Sequence, residues 1–204
     1  MNGSYLKVNR IAVVILAAAL ALAACTPVPS PMLAPVALPP IAGPAATSAP
    51  AQKISALDFR NAMRKLWEDH ITWTRLYIIS VAHDLPDKDA TTQRLLANQA
   101  DIGNAIKPFY GDAAGDKLTA LLKDHILGAA DLLAAAKAGD KAKVDAASAK
   151  WYDNADAIAT FLSSANAKNW TLAAMKEAMK THLDQTLKEA VDRLSGKYAD
   201  DVKD

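Results

Sequence analysis

Apolar residues recur with the period of an α-helix along most of the chain beyond residue 52. No stretch alternates apolar and polar residues strictly, so the pattern predicts no β-strand. Pro86 and Pro108 fall where helices are expected to stop, and Gly111 and Gly139 follow two of the periodic segments. The predicted helical segments are about 55–83, 89–107, 112–138, 140–164 and 171–198.

The short connections between these long segments favour antiparallel neighbours. We therefore predict an all-α fold, an up-and-down antiparallel helical bundle of four to five helices, in residues 53–204. Ser55 with Asp58 is placed to cap the first helix, and Thr171 to cap the fifth. This domain is long enough to bury a core of its own.

Residues 1–24 have the layout of a secretory signal peptide. Lys7 and Arg10 supply positive charge, and the uninterrupted apolar run 11–20 follows them. That run is about half of the roughly 20 residues that span a bilayer, so a permanent transmembrane helix is not expected.

Cys25 follows small residues in the string Leu22-Ala23-Ala24-Cys25, and it is the one cysteine of the chain. The string resembles the lipobox of bacterial lipoproteins, in which the cysteine becomes the first residue and carries acyl chains such as palmitate. An ordinary signal peptide with a chance cysteine is the alternative. The resemblance implies a membrane-anchored protein of the cell envelope. Because Thr26 is not the aspartate that favours the inner membrane, it implies the outer membrane, facing the periplasm, in a bacterium with two membranes.

Residues 25–52 are rich in proline and alanine, and eight of the ten prolines of the chain lie there. Proline resists helix interiors, so we predict a semi-rigid extended tether between the lipid and the helical domain. A ligand for a proline-binding module is the alternative. Loss of residues 1–24 would remove two of the 23 basic residues and none of the 22 acidic ones, leaving a net charge of −1. This balance predicts no nucleic-acid partner.

Three of the four histidines lie on apolar helix faces. At about 100° per residue, His70 and His125 fall in the middle of their apolar stripes. His182 lies near the edge of a third stripe, and Glu189 follows two turns later. Other polar side chains accompany them on the same helices and on the remaining two, namely Asn98, Asp101, Asn154 and Thr186.

A buried polar group without a partner costs roughly 1–3 kcal/mol, so we expect several such groups in one bundle to meet. They form either a structural hydrogen-bond network that fixes helix register, or a site for a metal ion or small ligand. Neutral imidazole binds zinc, copper and iron well. A site of His70, His125 and His182, with Glu189 as a fourth ligand, is chemically reasonable for such a metal.

Motifs of several known chemistries are missing from the sequence. The Glu-x-x-His pairs of ferritin-like di-iron bundles do not occur. The phosphate-binding P-loop and the Gly-x-Ser-x-Gly hydrolase elbow do not occur either. We therefore predict no catalytic residue.

Several strings carry a family resemblance: Trp67-Glu68-Asp69-His70, Asn98-Gln99, Asn154-Ala155-Asp156 and His182-Leu183. They resemble a family of small uncharacterised bacterial helical proteins, some of them automatically labelled glycosyltransferase. The resemblance covers most of 57–194 and implies a helical fold without an established activity. The family pattern continues beyond residue 204, which implies a shortened member.

The sequence favours a non-enzymatic, membrane-anchored envelope lipoprotein whose bundle binds a metal ion or small ligand. The alternative is an envelope structural or interaction protein with a purely structural polar core. A glycosyltransferase or another envelope enzyme is less favoured, because the Asp-x-Asp string Asp87-Lys88-Asp89 lies in a predicted turn between helices.

Overall fold

The computed structural model describes residues 54–203, and this part of the chain is helical throughout its regular elements, with no β-strand. The all-α prediction is confirmed. The predicted signal peptide, the lipidated Cys25 and the tether to residue 52 lie outside the described residues. The described helices are α1 (Ala56–Ala82), α2 (Lys88–Tyr110), α3 (Asp112–Lys137), α4 (Lys141–Ala165), α5 (Leu172–Leu194) and α6 (Tyr198–Lys203). Between residues 54 and 203, no helix is both long and apolar enough to span a bilayer.

Side-chain caps fix where two helices begin. Ser55 Oγ accepts a hydrogen bond from the backbone N–H of Asp58 at 3.0 Å. Thr171 Oγ1 accepts one from the backbone N–H of Ala174 at 3.3 Å. Each bond satisfies an N–H group that has no partner within the helix. Both predicted caps are confirmed.

Two predicted helix ends are wrong. α2 continues through Pro108 and ends before Gly111, whose φ of 83° favours glycine. Proline in the last turn removes one backbone donor, and the helix goes on for only two further residues. α5 ends at Leu194 instead of continuing to about residue 198, because Gly196 at φ 73° turns the chain into α6.

Helices that follow one another in the chain contact one another, and α1 also contacts α5. α2 and α3 come close at Gly103 and Gly115. A Cβ atom on Gly103 would lie 2.5 Å from the carbonyl oxygen of Gly115, and one on Gly115 would lie 2.6 Å from that of Gly103. This approach brings Ile102 and Ile106 of α2 into one apolar cluster with Leu118 of α3.

A buried carboxylate attaches α6 to α1 and α5. Asp201, 2% exposed, accepts hydrogen bonds from both Nη atoms of Arg75, each at 3.1 Å. Arg193 Nη1 donates a further bond at 3.0 Å. Arg75 Nη1 also donates to Glu189 Oε1 at 2.7 Å. Paired, charge-assisted bonds of this kind are strong and directional, so they hold the short α6 in place.

Candidate ligand-binding site

A cavity of about 420 Å³ lies among the five long helices. Its walls are mostly apolar and aromatic, and they include Phe59 and Met63 of α1, Leu118 of α3, Phe161 of α4 and Met179 of α5. Among residues 54–203, no Lys, Arg, Asp or Glu side chain lines it. The volume falls within the range of roughly 300–1,000 Å³ that is typical of small-molecule sites.

The two ends of the cavity differ. Along α1, α3 and α5, the last residue that lines it is a histidine: His70, His125 and His182. At the other end lie Tyr110 and Trp170, which are 42% and 38% exposed. Trp67, which lines the cavity beside His70, is 41% exposed as well, so neither end is fully enclosed. From the helical rise, the lined stretches of α1 and α3 give a length of roughly 10–16 Å.

The three histidines predicted to face inward come together. The ring centroid of His182 lies 6.2 Å from that of His70 and 5.8 Å from that of His125. His70 and His125 are 5% and 4% exposed, and His182 is half-buried. Trp151 fixes the α3 backbone beside them, because its Nε1 donates to the carbonyl oxygen of His125 at 3.1 Å.

The three imidazoles are neutral near pH 7. Burial, and after it the charge on His182 and His125, lowers the pKa of His70 to about 4. Burial likewise lowers the pKa of His125 to about 4, although its hydrogen bond to Asn154 opposes the change. Burial also lowers the pKa of His182. In each case desolvation disfavours the charged ring.

An amide oxygen fixes the tautomer of His125. Its Nδ1 lies 2.9 Å from Oδ1 of Asn154, whose Nδ2 donates to the carbonyl oxygen of Leu121 at 3.1 Å. Because a carbonyl only accepts, the amide nitrogen must face Leu121, and the amide oxygen must face the ring. Nδ1 of His125 therefore carries the hydrogen. Nε2 has a lone pair, and within residues 54–203 this buried atom has no hydrogen-bond partner.

An amide nitrogen fixes the opposite tautomer of His70. Nε2 of Gln99 lies 3.2 Å from Nδ1 of His70 and donates to the carbonyl oxygen of Leu95 at 2.9 Å. It also lies 3.1 Å from Oδ1 of Asn98, whose Nδ2 donates to the carbonyl oxygen of Leu66 at 3.0 Å. The two hydrogens of Gln99 Nε2 point to Leu95 and Asn98, its two nearest acceptors. Because an amide nitrogen accepts no hydrogen bond, a hydrogen on Nδ1 of His70 would have no acceptor there. Nε2 of His70 therefore carries the hydrogen.

The hydrogen bonds of these residues do not fit a metal centre. No group of three or more His, Cys, Asp and Glu side chains in the described part of the chain is arranged to hold a metal ion. His70 offers the cavity an N–H group instead of a lone pair. Glu189, the predicted fourth ligand, does not line the cavity and accepts a hydrogen bond from Arg75.

The other predicted polar residues separate into two groups. Asn98 and Asn154 belong to the network that surrounds the histidines. Asp101 does not belong to it: its side chain is 52% exposed and lies 3.7 Å from Arg94. Thr186 donates to the carbonyl oxygen of His182 at 2.9 Å, within its own helix.

A second cavity, of about 40 Å³, lies one helical turn beyond the histidines. Thr74, Ala129 and Thr186 line it, and each is four residues after a histidine. Oγ1 of Thr74 is buried there without a partner among residues 54–203. A cavity of this size has room for a water molecule. The histidines therefore form a layer between the large cavity and the small one.

Gln99 is a site residue that the predicted set of polar site residues does not include. It is fully buried on α2, and it determines the tautomer of His70. The available signal was its position beside Asn98 on the apolar face of the second helix.

Comparison of the chain with protein-family models, with curated proteins and with solved structures found no match. The function is therefore inferred from the geometry of the site.

Proposed function

We propose that this protein is a non-enzymatic envelope lipoprotein that binds a small, elongated and mostly apolar organic ligand in the cavity ending at His70, His125 and His182. One observation carries the proposal. The buried Nε2 of His125 has no partner among the described residues, and the His125 side chain lines one end of an apolar cavity of about 420 Å³. An unsatisfied buried acceptor costs roughly 1–3 kcal/mol, which a bound ligand with a hydrogen-bond donor would recover.

A purely structural polar core explains fewer of these observations than a binding site does. It explains the hydrogen bonds of Asn98, Gln99 and Asn154, which tie α2 to α1 and α4 to α3. It leaves unexplained the empty volume next to the histidines, since cavities in a protein core are destabilising. A binding site explains both the volume and the unsatisfied atom.

A glycosyltransferase has little support from this arrangement. The Asp-x-Asp string would have to offer its carboxylates to a metal and a nucleotide-sugar. Asp87 instead accepts a hydrogen bond from the buried Ser80 at 2.8 Å, where the chain turns into α2. This hydrogen bond stabilises the turn between α1 and α2.

We further infer that the long helices form an up-and-down antiparallel bundle. Consecutive helices contact each other, and Gly111 alone separates α2 from α3. Short connections of this kind favour antiparallel neighbours. In such a bundle, the start of α1, the end of α2 and the start of α3 lie at one end, as the shared lining of the cavity requires.

Binding is tested with N-phenyl-1-naphthylamine, an uncharged apolar fluorophore, and the chain from residue 25 onward with Cys25→Ser. We expect saturable fluorescence enhancement at about one probe per chain. Met179→Trp narrows the cavity beside the histidines, where Met179 lines it, and it should weaken the signal.

The matched control is Leu76→Trp, which adds the same side chain at an exposed position of α1 away from the cavity. It should bind the probe as the unaltered chain does. Circular dichroism must show that both variants are folded. Equal binding by a folded Met179→Trp variant would place the probe elsewhere and contradict the proposal.

A further inference from the structure

The two buried histidines present opposite hydrogen-bonding groups to one ligand. Nε2 of His125 offers a lone pair, because Asn154 accepts from the other ring nitrogen. Nε2 of His70 offers an N–H group, because the other ring nitrogen faces the amide nitrogen of Gln99, which accepts no hydrogen bond. Both residues line one end of the same cavity, and the ring of His182 lies between them.

We propose that the ligand has an uncharged polar end that donates to His125 and accepts from His70, as a primary carboxamide or an alcohol does. This inference rests on the proposed function and adds the chemical class of the ligand. The rest of the ligand is an apolar chain that lies along the cavity towards Tyr110 and Trp170. A cavity of about 420 Å³ is nearly three times the roughly 150 Å³ that holds benzene.

Charged polar ends fit poorly at this position. A carboxylate would face the lone pair of His125, and an ammonium group would face the N–H group of His70. In the part of the chain that the structure describes, no side chain of opposite charge lines the cavity to compensate either ion. Burying an unpaired charge is far more costly than burying a satisfied neutral group. An ester of the same length accepts a hydrogen bond but leaves His125 without a donor.

The test is a matched series of four compounds that share a ten-carbon chain and differ in the polar end: decanamide, methyl decanoate, decanoate and decylammonium. Each displaces N-phenyl-1-naphthylamine from the chain described above, at about pH 7.5. We expect decanamide to bind about tenfold or more tightly than the methyl ester, since one satisfied buried group is worth roughly that ratio. Both ions should bind more weakly than decanamide.

A variant links this preference to His125. Asn154→Ala removes the oxygen that fixes the tautomer, so affinity for decanamide should fall towards that of the methyl ester. Affinity for the ester should not change. Asp101→Ala is the matched control, because Asp101 is exposed and lies outside the network; it should leave both affinities unchanged.

Nitrogen-15 NMR of the imidazoles in the unaltered chain tests the premise without substitution. We expect the hydrogen on Nδ1 of His125 and on Nε2 of His70. The same tautomer at both residues, or equal affinity for amide and ester, would overturn the inference while probe binding upheld the proposed function. Failure of the probe to bind would overturn the proposed function itself.

Discussion

At the scale of single residues, an amide neighbour decides what a neutral imidazole offers. His70 and His125 are both deeply buried, and both use Nδ1 to contact a side-chain amide. One contacts an amide nitrogen, on Gln99, and the other an amide oxygen, on Asn154. Backbone carbonyls hold each amide in its orientation. Two rings with similar pKa values therefore face the cavity as donor and acceptor.

Acidification should destabilise the fold through these rings. Their pKa is about 4 in the folded chain against an ordinary 6.5, so the unfolded chain takes up protons first. The stabilisation is complete above about pH 6.5 and is lost as the pH falls to about 4, on the order of 3 kcal/mol for each ring. Urea unfolding between about pH 7.5 and 4.5 measures this loss.

Two histidine variants test whether the buried rings cause this pH dependence of stability. His125→Gln should remove a large share of the pH dependence, whereas His83→Gln should leave it unchanged, because His83 is exposed at the end of α1. Identical pH dependence in the two variants would show that other groups cause it.

The sequence predicted which histidines face inward because helical periodicity depends only on residue spacing. It did not predict the tautomers, since these depend on which atom of Gln99 or Asn154 faces each ring. It misplaced Glu189, whose long side chain pairs with Arg75 beside α6. Asp101 was also misplaced, because it lies at the edge of its helix face, where a small rotation exposes the side chain.

At the scale of elements, the contact between α2 and α3 depends on two glycines. Each lies where a Cβ atom would meet the backbone of the other helix. Ile106 and Leu118, near this contact, line the cavity, so the spacing of the two helices sets the position of one wall.

Gly103→Ala or Gly115→Ala should therefore destabilise the protein by about 1–3 kcal/mol, as overpacking does. In an ordinary helix, the same change stabilises by up to about 1 kcal/mol, so the sign of the effect is diagnostic. Urea denaturation gives the free energy of unfolding. Asn104→Ala, at the exposed neighbouring position of α2, is the control and should change it by less than about 0.5 kcal/mol. A stabilised Gly103→Ala variant would disprove the close contact.

The long helices were predictable from apolar period and caps, but two ends were not. Pro108 usually marks a stop, yet a last turn tolerates it because few backbone bonds remain to be lost. α6 has too few residues for a period to emerge. Its position depends on the buried contacts of Asp201 with Arg75 and Arg193, which are distant in sequence or cross a turn.

At the scale of the whole molecule, the proposed lipid on Cys25 would anchor the chain, and the cavity with it, at a membrane. The proposal rests on the resemblance of the string Leu22-Ala23-Ala24-Cys25 to a lipobox, since two or more acyl chains anchor a protein stably.

Growth of an expressing bacterium with labelled palmitate tests the anchor. We expect label on the protein and recovery in the membrane fraction. Cys25→Ser should abolish both, whereas Thr26→Ser, at the next residue, should preserve both. Label that survives Cys25→Ser would place the acyl chain on another residue or refute the lipobox.

The exposed aromatic side chains that line the cavity have a consequence for kinetics. A ligand that binds at the histidines would enter and leave past Tyr110 and Trp170 at one end or past Trp67 at the other, all about 40% exposed. The strength of binding is then set by the histidines and the residence time by these aromatic side chains. A larger side chain at these aromatic positions would slow ligand binding and ligand release equally. The fraction of the protein with bound ligand at equilibrium would stay the same.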